Sequence, residues 1–384
     1  MDFTFATAAQ IVFGAGEFSK LGELAASLGS RVLLVTGAGK SGPEKACENL
    51  LGAGLFVVRY AVNGEPDILM VQEAARLARV NGCDCVVCFG GGSVIDTGKA
   101  VSALLTNPGD PLDYLEVVGR GQPLSEKPAP CIAVPTTSGT GSEVTKNAVL
   151  KVPEKQVKVS LRSAWMIPDI ALLDPELTLS VPPAVTASTG MDALTQVLEP
   201  FVSRFANPMT DLFCVEGMRC GSRSLRAAYE DGRDIAARTD MAWCSLLGGL
   251  ALANGKLGAV HGFAGPLGGM FEAPHGAICA RLLPGVVRMN VTALSARAAE
   301  NPALARYAQV AQILTEDGNA GVEDGVKWLE ALTAALRIPG LGNYGMRADD
   351  IPAVIEKARQ SSSMKGNPIA LTDEEMAGVL QEAL

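Results

Sequence analysis

A chain of 384 residues is longer than one hydrophobic core usually supports, so its length predicts two domains. Hydrophobic residues make up 48% of the sequence and charged residues 19%, which excludes a disordered protein and predicts a soluble globular one. The net charge of −9 argues against a nucleic-acid partner, because phosphate backbones are held by clustered Lys and Arg.

Apolar strand-like runs alternate with helical patterns through the first half of the chain. An alternating segment at 3–13 predicts an opening β-ribbon. Buried strands are then predicted at 31–36, 56–62, 83–89, 131–134 and 170–174, with helices at 43–51 and 68–80. Short apolar runs separated by helices are typical of a parallel sheet covered on both faces. Residues 1–180 are therefore predicted to form an α/β nucleotide-binding domain with a parallel sheet.

The periodicity becomes almost wholly helical after residue 180. Helices are predicted at 192–202, 208–229, 234–253, 303–314, 321–335 and 373–383, so residues 181–384 are expected to form an all-α domain. No basic region precedes an apolar block at the N-terminus, and Asn254 and Lys256 interrupt the longest apolar stretch. We therefore expect a cytoplasmic protein without a membrane partner. Its nine cysteines follow no zinc-finger spacing and are predicted to be free, mostly buried thiols.

A glycine turn follows the strand predicted at 83–89. Gly90, Gly91 and Gly92 precede Ser93, which is predicted to cap the next helix, and Asp96 follows within one turn. A strand, a glycine turn and a helix N-terminus together favour binding of a pyrophosphate. The turn departs from the usual dinucleotide fingerprint, and the alternative is a tight turn without a ligand.

A second loop, at 135–143, also follows a predicted strand and is crowded with hydroxyls and glycines. Its candidate cofactor contacts are Thr136, Thr137, Ser138, Thr140 and Ser142. Ligands of open α/β sheets bind at the carboxyl ends of strands, so two such loops predict one cleft. Lys158 lies shortly beyond and is either a further contact or a solvated surface lysine.

The chain has only two histidines, His261 and His275, and both lie in one glycine-rich segment. Neutral imidazole is a common metal ligand, although a buried structural histidine is as ordinary. Asp192 and Gln196 are four residues apart and share one face of a predicted helix. Asp192 with the two histidines provides the three ligands of a catalytic metal site, whereas the alternative for Asp192 is a helix cap.

These motifs resemble those of the iron-containing alcohol dehydrogenase family, within the superfamily of glycerol dehydrogenase and dehydroquinate synthase. The resemblance covers nearly the whole chain. Its motifs are Gly90-Gly-Gly-Ser-x-x-Asp96-x-x-Lys99, Pro135-Thr-Thr-Ser-Gly-Thr-Gly-Ser-Glu143, Asp174-Pro-Glu-Leu-Thr178, Gly190-Met-Asp-Ala-Leu-Thr195, Asn207-Pro-x-Thr-Asp211, His261-Gly-x-Ala264 and Pro274-His-Gly276 followed by Leu283-Pro284. It implies a dehydroquinate synthase-like fold, with metal and nicotinamide in a cleft between two domains, and a homodimer.

The resemblance assigns metal-ligand roles to Asp192, His261 and His275, and cofactor roles to the 90–93 loop, Thr136, Thr137 and Lys158. The chain departs from the family at three positions. Gln196 replaces a second histidine ligand, Gly265 replaces a histidine near the nicotinamide, and Gly37 replaces the aspartate that binds the adenosine ribose. An amide oxygen is a poorer ligand for Fe²⁺ than imidazole, so Gln196 is either a weak ligand or a substrate contact. Glycerol dehydrogenase relatives use the other three ligands and hold zinc, so we expect one Fe or Zn ion.

The residues that follow the strand predicted at 31–36 bear on the choice between NAD and NADP. Gly37 removes a carboxylate that would repel a 2′-phosphate, and Lys40 or Ser41 is placed to bind one. The sequence therefore favours NADP, with surface exposure as the alternative for Lys40.

These features predict a metal-dependent alcohol dehydrogenase, or aldehyde or ketone reductase, that transfers a hydride between NAD(P) and a small substrate. One alternative is a metal-independent reductase resembling maleylacetate reductase. A second is a lyase resembling dehydroquinate synthase, and a third is a family member that has lost its chemistry.

Overall fold

The computed structural model describes residues 3–39, 41–155 and 157–384, which form two compact units. The first, called here the sheet unit, comprises Ala6–Thr137 and Gly141–Ser180 within those ranges. The second, the helical unit, comprises Val181–Leu384, the short segment Ser138–Thr140 and the described residues up to Phe5.

The sheet unit is built on a parallel sheet, as the sequence predicts, and the sheet has six strands in the described part of the chain. The described part of the unit has eight strands, of which six form this sheet. In chain order they are β1 (Gln10–Phe13), β2 (Arg31–Gly37), β3 (Phe56–Val62), β4 (Cys85–Gly90), β5 (Cys131–Pro135), β6 (Asn147–Val152), β7 (Val157–Arg162) and β8 (Ile170–Leu173). The sheet order is β1-β8-β5-β4-β2-β3, and β6 and β7 form a separate antiparallel pair.

Helices cover both faces of this sheet. They are α1 (Leu21–Ala26), α2 (Ser41–Gly52), α3 (Ile68–Val80), α4 (Gly92–Thr106) and the single turn α5 (Pro111–Tyr114). Alternate residues of β2 belong to two different cores, Leu33 and Val35 to one and Val32 and Leu34 to the other. A strand buried on both faces explains the continuous apolar runs in the sequence.

The predicted opening β-ribbon is wrong. Only β1 is a strand within 3–13, and it pairs in parallel with β8, with Gln10 opposite Ile170. β1 lies at one edge of the sheet, and none of its four residues is fully buried, as is usual for an edge strand. The ribbon of this unit is instead β6 with β7, which the sequence analysis did not predict.

The helical unit contains nine labelled α-helices among its described residues. They are α6 (Pro183–Val202), α7 (Pro208–Glu230), α8 (Ile235–Asn254), α9 (Ala259–Met270), α10 (His275–Arg297), α11 (Ala303–Thr315), α12 (Val322–Ala335), α13 (Ile351–Gln360) and α14 (Asp373–Ala383). Three of them, α9, α10 and α13, have no counterpart among the predicted helices. Glycines and a proline inside α9 weaken its helical signal, because both residues have low helix propensity.

One described helix, α10, is long and apolar enough to cross a membrane. Within its most apolar window, 72% is buried inside the protein. The apolar composition of α10 is therefore that of a helix packed in the core.

Candidate metal and cofactor sites

Four potential metal-ligating side chains meet in the helical unit. One donor atom from each of Asp192, His261, His275 and Cys279 lies within 4.8 Å of the others. Asp192 Oδ1 is 3.2 Å from His261 Nε2 and 3.8 Å from His275 Nε2. Three residues of this cluster are candidates from the sequence, and Cys279 is an addition.

Three helices deliver these side chains to one point. Asp192 lies in the middle of α6, His261 is the third residue of α9, and His275 begins α10. The approach of α10 to α6 depends on Gly276, since a Cβ there would lie 1.9 Å from the carbonyl oxygen of Ser188. Only glycine allows the two backbones to come so close.

Glu199 orients the His261 ring. Its Oε2 lies 2.7 Å from His261 Nδ1, while its Oε1 accepts a 2.7 Å hydrogen bond from the backbone N–H of Val260. When Nδ1 donates its proton to this carboxylate, Nε2, which faces Asp192 at 3.2 Å, is the ring nitrogen available to a metal. A carboxylate behind a histidine is the usual support of a metal ligand.

The charges within the cluster shift its protonation equilibria strongly. Burial opposes ionisation of Asp192, but His275 and His261 outweigh burial and hold the pKa of the carboxyl below its ordinary value. Burial likewise opposes protonation of His275, yet Cys279 and Asp192 raise its pKa to about 9. The site thus attracts positive charge, which a metal cation supplies as well as protons do.

Gln196 is fixed by the segment Ser138–Thr140 of the same unit. Its Nε2 donates to the carbonyl oxygen of Gly139 at 3.0 Å, and the N–H of Gly139 donates to Ser245 Oγ at 2.8 Å. Gln196 Oε1 and Ser138 Oγ are both buried without a hydrogen-bond partner among the described residues. Buried oxygens left unpaired are expected to meet a bound polar group.

The donor set fits a divalent metal ion. A carboxylate, two imidazoles and a thiol are all ligands of zinc, and the first three also suit iron. The unpaired Gln196 Oε1, which belongs to the same helix as Asp192, fits a substrate or metal contact equally well.

The second candidate site lies at the carboxyl ends of two neighbouring strands in the sheet unit. Gly90 ends β4, Gly91 is the N-cap of α4, and Pro135 is paired with Gly90 at the end of β5. The following loop stays close, since Thr136 N–H donates to Gly90 O at 3.0 Å. A Cβ on Gly91 would lie 3.1 Å from Thr137 Oγ1, so glycine keeps this narrow space open above the helix N-terminus. The two loops therefore form a cradle that suits an anion.

The predicted capping role of Ser93 is wrong. Gly91 is the N-cap, Gly92 begins α4, and the carbonyl of Gly91 accepts the first helical hydrogen bond, from the N–H of Ile95 at 3.1 Å. The glycine turn ends earlier than expected, since only Gly91 separates the end of β4 at Gly90 from the start of α4 at Gly92. Ser93 consequently presents its hydroxyl within the first turn of the helix.

Asp96 and Ser142 join the two loops. Ser142 Oγ donates to Asp96 Oδ1, and the N–H of Val149 donates to Asp96 Oδ2 at 2.9 Å. The buried ammonium of Lys99 donates to the carbonyl of Ser142 at 2.9 Å and to Thr145 Oγ1 at 3.1 Å. These contacts fix the shape of the sheet edge.

The remaining cofactor candidates are distributed over the sheet unit, apart from Thr140, which belongs to the helical unit with Ser138. Gly37 ends β2, next to β4 in the sheet, and Ser41 begins α2. Lys40 lies outside the described residues. Lys158, in β7, pairs with Glu65 at 3.1 Å.

Both halves of the chain match models of one protein family. Residues 8–175 match the model described as iron-containing alcohol dehydrogenase, and residues 186–384 match the C-terminal model of the same family. The chain belongs to the iron-containing alcohol dehydrogenase family. This finding confirms the resemblance and the fold class expected from the sequence.

Individual members of the iron-containing alcohol dehydrogenase family match over full length. The 1,3-propanediol dehydrogenase of Citrobacter freundii is 35% identical, with 97% of this chain and 96% of the relative covered. A crystal structure of 1,3-propanediol oxidoreductase superposes with a TM-score of 0.93 at 33% identity and covers 100% of both chains. The sulfoacetaldehyde reductase of Bifidobacterium kashiwanohense, solved with NAD⁺, gives a TM-score of 0.87 at 27% identity and covers 100% of this chain and 99% of that one.

Two residues of the metal site are not among the candidates predicted from the sequence. Glu199 lies three residues after Gln196 on α6, and Cys279 lies four residues after His275 on α10. Helical spacing would have revealed Cys279 if a helix had been predicted to begin at His275. Glu199 carried no local signal, because its partner His261 lies far along the chain.

Proposed function

We propose that this chain is an NAD(P)-dependent alcohol dehydrogenase that uses one divalent metal ion. Family membership supports an oxidoreductase acting on CH–OH groups. The observation that carries the metal proposal is the convergence of Asp192, His261 and His275 within 4.8 Å. Three protein ligands suffice for a catalytic metal site.

The chain's own residues hold and orient the reacting groups. Asp192, His261 and His275 would bind the metal, and Glu199 keeps the Nδ1 proton of His261 so that Nε2 remains a ligand. When bound, the metal supplies Lewis-acid polarisation of a substrate oxygen, and the nicotinamide carries the hydride. The His275 side chain is 42% exposed, so the cluster is accessible from that side.

Proton transfer must proceed without a third imidazole. The chain contains two histidines, and both belong to the cluster. Gly265, where the family resemblance implies a further histidine, carries no titratable group. We propose that a water chain, a ribose hydroxyl of the cofactor or the substrate itself moves the proton.

The cradle formed by Gly90, Gly91, Gly92 and Ser93 with Thr136 and Thr137 is the proposed pyrophosphate site. We propose NADP as the preferred cofactor, because residues 37–39 are Gly-Ala-Gly and bring no carboxylate to repel a 2′-phosphate. Lys40 and Ser41 are the proposed contacts of that phosphate. A ratio of NADPH to NADH specificity below one would overturn this preference.

The proposed substrates are small alcohols and the corresponding aldehydes or ketones. Relatives named 1,3-propanediol dehydrogenase, sulfoacetaldehyde reductase and NAD-dependent methanol dehydrogenase support this class. A homodimer in the cytoplasm, with a cofactor domain at 1–180 and a substrate domain at 181–384, completes the proposal. Light scattering of the purified chain tests the dimer.

The deciding experiment combines metal analysis with an assay. We expect near-stoichiometric Zn or Fe in the purified protein, with aldehyde-dependent oxidation of NADPH or NADH that chelation abolishes and metal restores. Activity that persists in metal-free protein would identify a metal-independent reductase. Full cofactor binding without turnover of any alcohol or aldehyde would identify a member that has lost its chemistry.

A further inference from the structure

Cys279 occupies the position of a metal ligand. Its Sγ lies 3.8 Å from His275 Nε2 and 4.0 Å from His261 Nε2, and the residue is fully buried. It is one helical turn after His275, so both side chains leave the same face of α10. Two imidazoles and a carboxylate thus surround a thiol that no other described group accounts for.

The distances between donor atoms approach those of a tetrahedral site. Bond lengths of about 2.0–2.1 Å to nitrogen or oxygen and about 2.3 Å to sulfur require ligand atoms about 3.3–3.6 Å apart. The cluster has 3.2 Å between Asp192 and His261, 3.8 Å between Asp192 and His275, and 3.8 and 4.0 Å from sulfur to the two imidazoles. The two remaining pairs of donor atoms lie within 4.8 Å, so movements of up to about an ångström would bring all four atoms into coordination range.

The family resemblance suggests a histidine as the fourth ligand, and this chain lacks that histidine. Gln196 replaces a histidine, and its amide is hydrogen-bonded to Gly139. Cys279 restores a count of four ligand side chains with Asp192, His261 and His275. A thiolate with the Asp192 carboxylate also neutralises a divalent cation, which a neutral amide cannot do.

We propose that Cys279 is a ligand of the metal, so that this chain holds a carboxylate, two-imidazole and thiolate site suited to zinc rather than iron. Soft thiolate ligands favour zinc over Fe²⁺. The inference rests on the metal site of the proposed function and deepens it by naming an additional ligand and the preferred ion. With four protein ligands, a substrate oxygen would bind as a fifth ligand, an expansion that catalytic zinc sites allow.

Cobalt substitution tests this directly, since a thiolate bound to Co²⁺ gives a sulfur-to-metal charge-transfer band in the near ultraviolet. The full-length protein is freed of metal by chelation and titrated with Co²⁺, with absorbance and bound metal measured together. The variant is Cys279→Ser. The matched control is Cys214→Ser, which alters a buried thiol on α7 outside the cluster.

We expect the wild-type chain and the Cys214→Ser control to bind one Co²⁺ and to show the band. Cys279→Ser should lose the band and bind Co²⁺ at least about 100-fold more weakly, since loss of a group that only hydrogen-bonds to a ligand already costs roughly 10- to 100-fold. In the double variant Gln196→His with Cys279→Ser, tight Co²⁺ binding should return without the band. This rescue separates a lost ligand from a damaged fold, which circular dichroism also monitors.

Three results would overturn the inference. If wild-type protein binds Co²⁺ without the band, the metal site stands but the thiolate ligand does not. If the band survives in Cys279→Ser, another cysteine is the ligand. If wild-type protein binds no metal, both this inference and the metal site of the proposed function fail.

Discussion

The two candidate sites are built from different parts of the polypeptide. At the edge of the sheet unit, backbone groups of two adjacent loops and a helix N-terminus form the cradle, and neighbouring strands fix their positions. In the helical unit, side chains from α6, α9 and α10 meet at one point. A site of backbone groups depends on local chain path, whereas a site of side chains depends on how separate helices pack.

The packing of α10 against α6 is where the helical site should be most fragile. Gly276→Ala places a Cβ 1.9 Å from a backbone oxygen of Ser188, so α10 must move away from α6. We expect a loss of about 3 kcal/mol or more in unfolding free energy and loss of bound metal. Urea denaturation and elemental analysis check both effects, and unchanged metal content would refute the role of this contact.

In the sheet unit, the largest expected effect is a dependence of stability on pH. Burial raises the pKa of Glu143 to about 7 from 4.5, against the opposing charge of Lys99. The folded state therefore keeps a proton that the unfolded state releases, so this stabilisation is full below pH 4.5 and is lost as the pH rises through 7. The difference between these limits is about 3 kcal/mol.

Glu143→Gln isolates the pH dependence of stability that is due to Glu143, because the amide keeps the shape of the protonated carboxyl and does not titrate. We expect the unfolding midpoint of wild type to fall more steeply between pH 5 and pH 8 than that of the variant. Parallel curves for the two proteins would contradict the buried, protonated state of Glu143.

Metal binding should weaken when the support of His261 is removed. Glu199→Gln replaces the carboxylate that lies 2.7 Å from His261 Nδ1 with a neutral amide. We expect roughly 10- to 100-fold weaker zinc affinity and unchanged cofactor affinity. Competition with a chromogenic chelator measures the zinc affinity. Glu216→Gln, in the same unit, is the control that should leave zinc affinity unchanged.

Cofactor affinity should fall when a side chain is added in the glycine turn of the sheet unit. Gly91→Ala fills the space beside Thr137, where a Cβ would lie 3.1 Å from its hydroxyl. We expect the dissociation constant for the dinucleotide to rise roughly 10-fold, about 1.4 kcal/mol, with the metal content unchanged. Gly52→Ala, at the end of α2 away from Ser41, is the matched control in titrations followed by cofactor fluorescence, since its Cβ would also meet nothing within 4 Å.

The smallest expected effect is a gain in stability. Gly265 lies inside α9, and a Cβ there would meet nothing within 4 Å. Gly265→Ala should therefore stabilise the helical unit by about 0.5–1 kcal/mol, since alanine has the higher helix propensity. A lower unfolding midpoint would mean that the open space at Gly265 is needed by a ligand or by the fold.

The same contrast explains what the sequence could predict. β3 and α3 have the predicted bounds, and the glycine turn at Gly90 was found because strand, turn and helix are consecutive in the chain. Asp192, His261 and His275 were proposed from residue type and family resemblance. Glu199 and Cys279 were missed because their roles arise only when α9 and α10 pack against α6.

The carboxylate of Glu199 couples opening of the N-terminus of α9 to release of the His261 ring. The N-cap of α9, Gly258, offers no side chain to the free backbone N–H groups, and Glu199 accepts the hydrogen bond of Val260 in its place. Fraying of this turn would separate His261 from Glu199 in the same event. Hydrogen exchange at the single amide of Val260 therefore reports how often the histidine is released, and bound metal should slow that exchange by mass action.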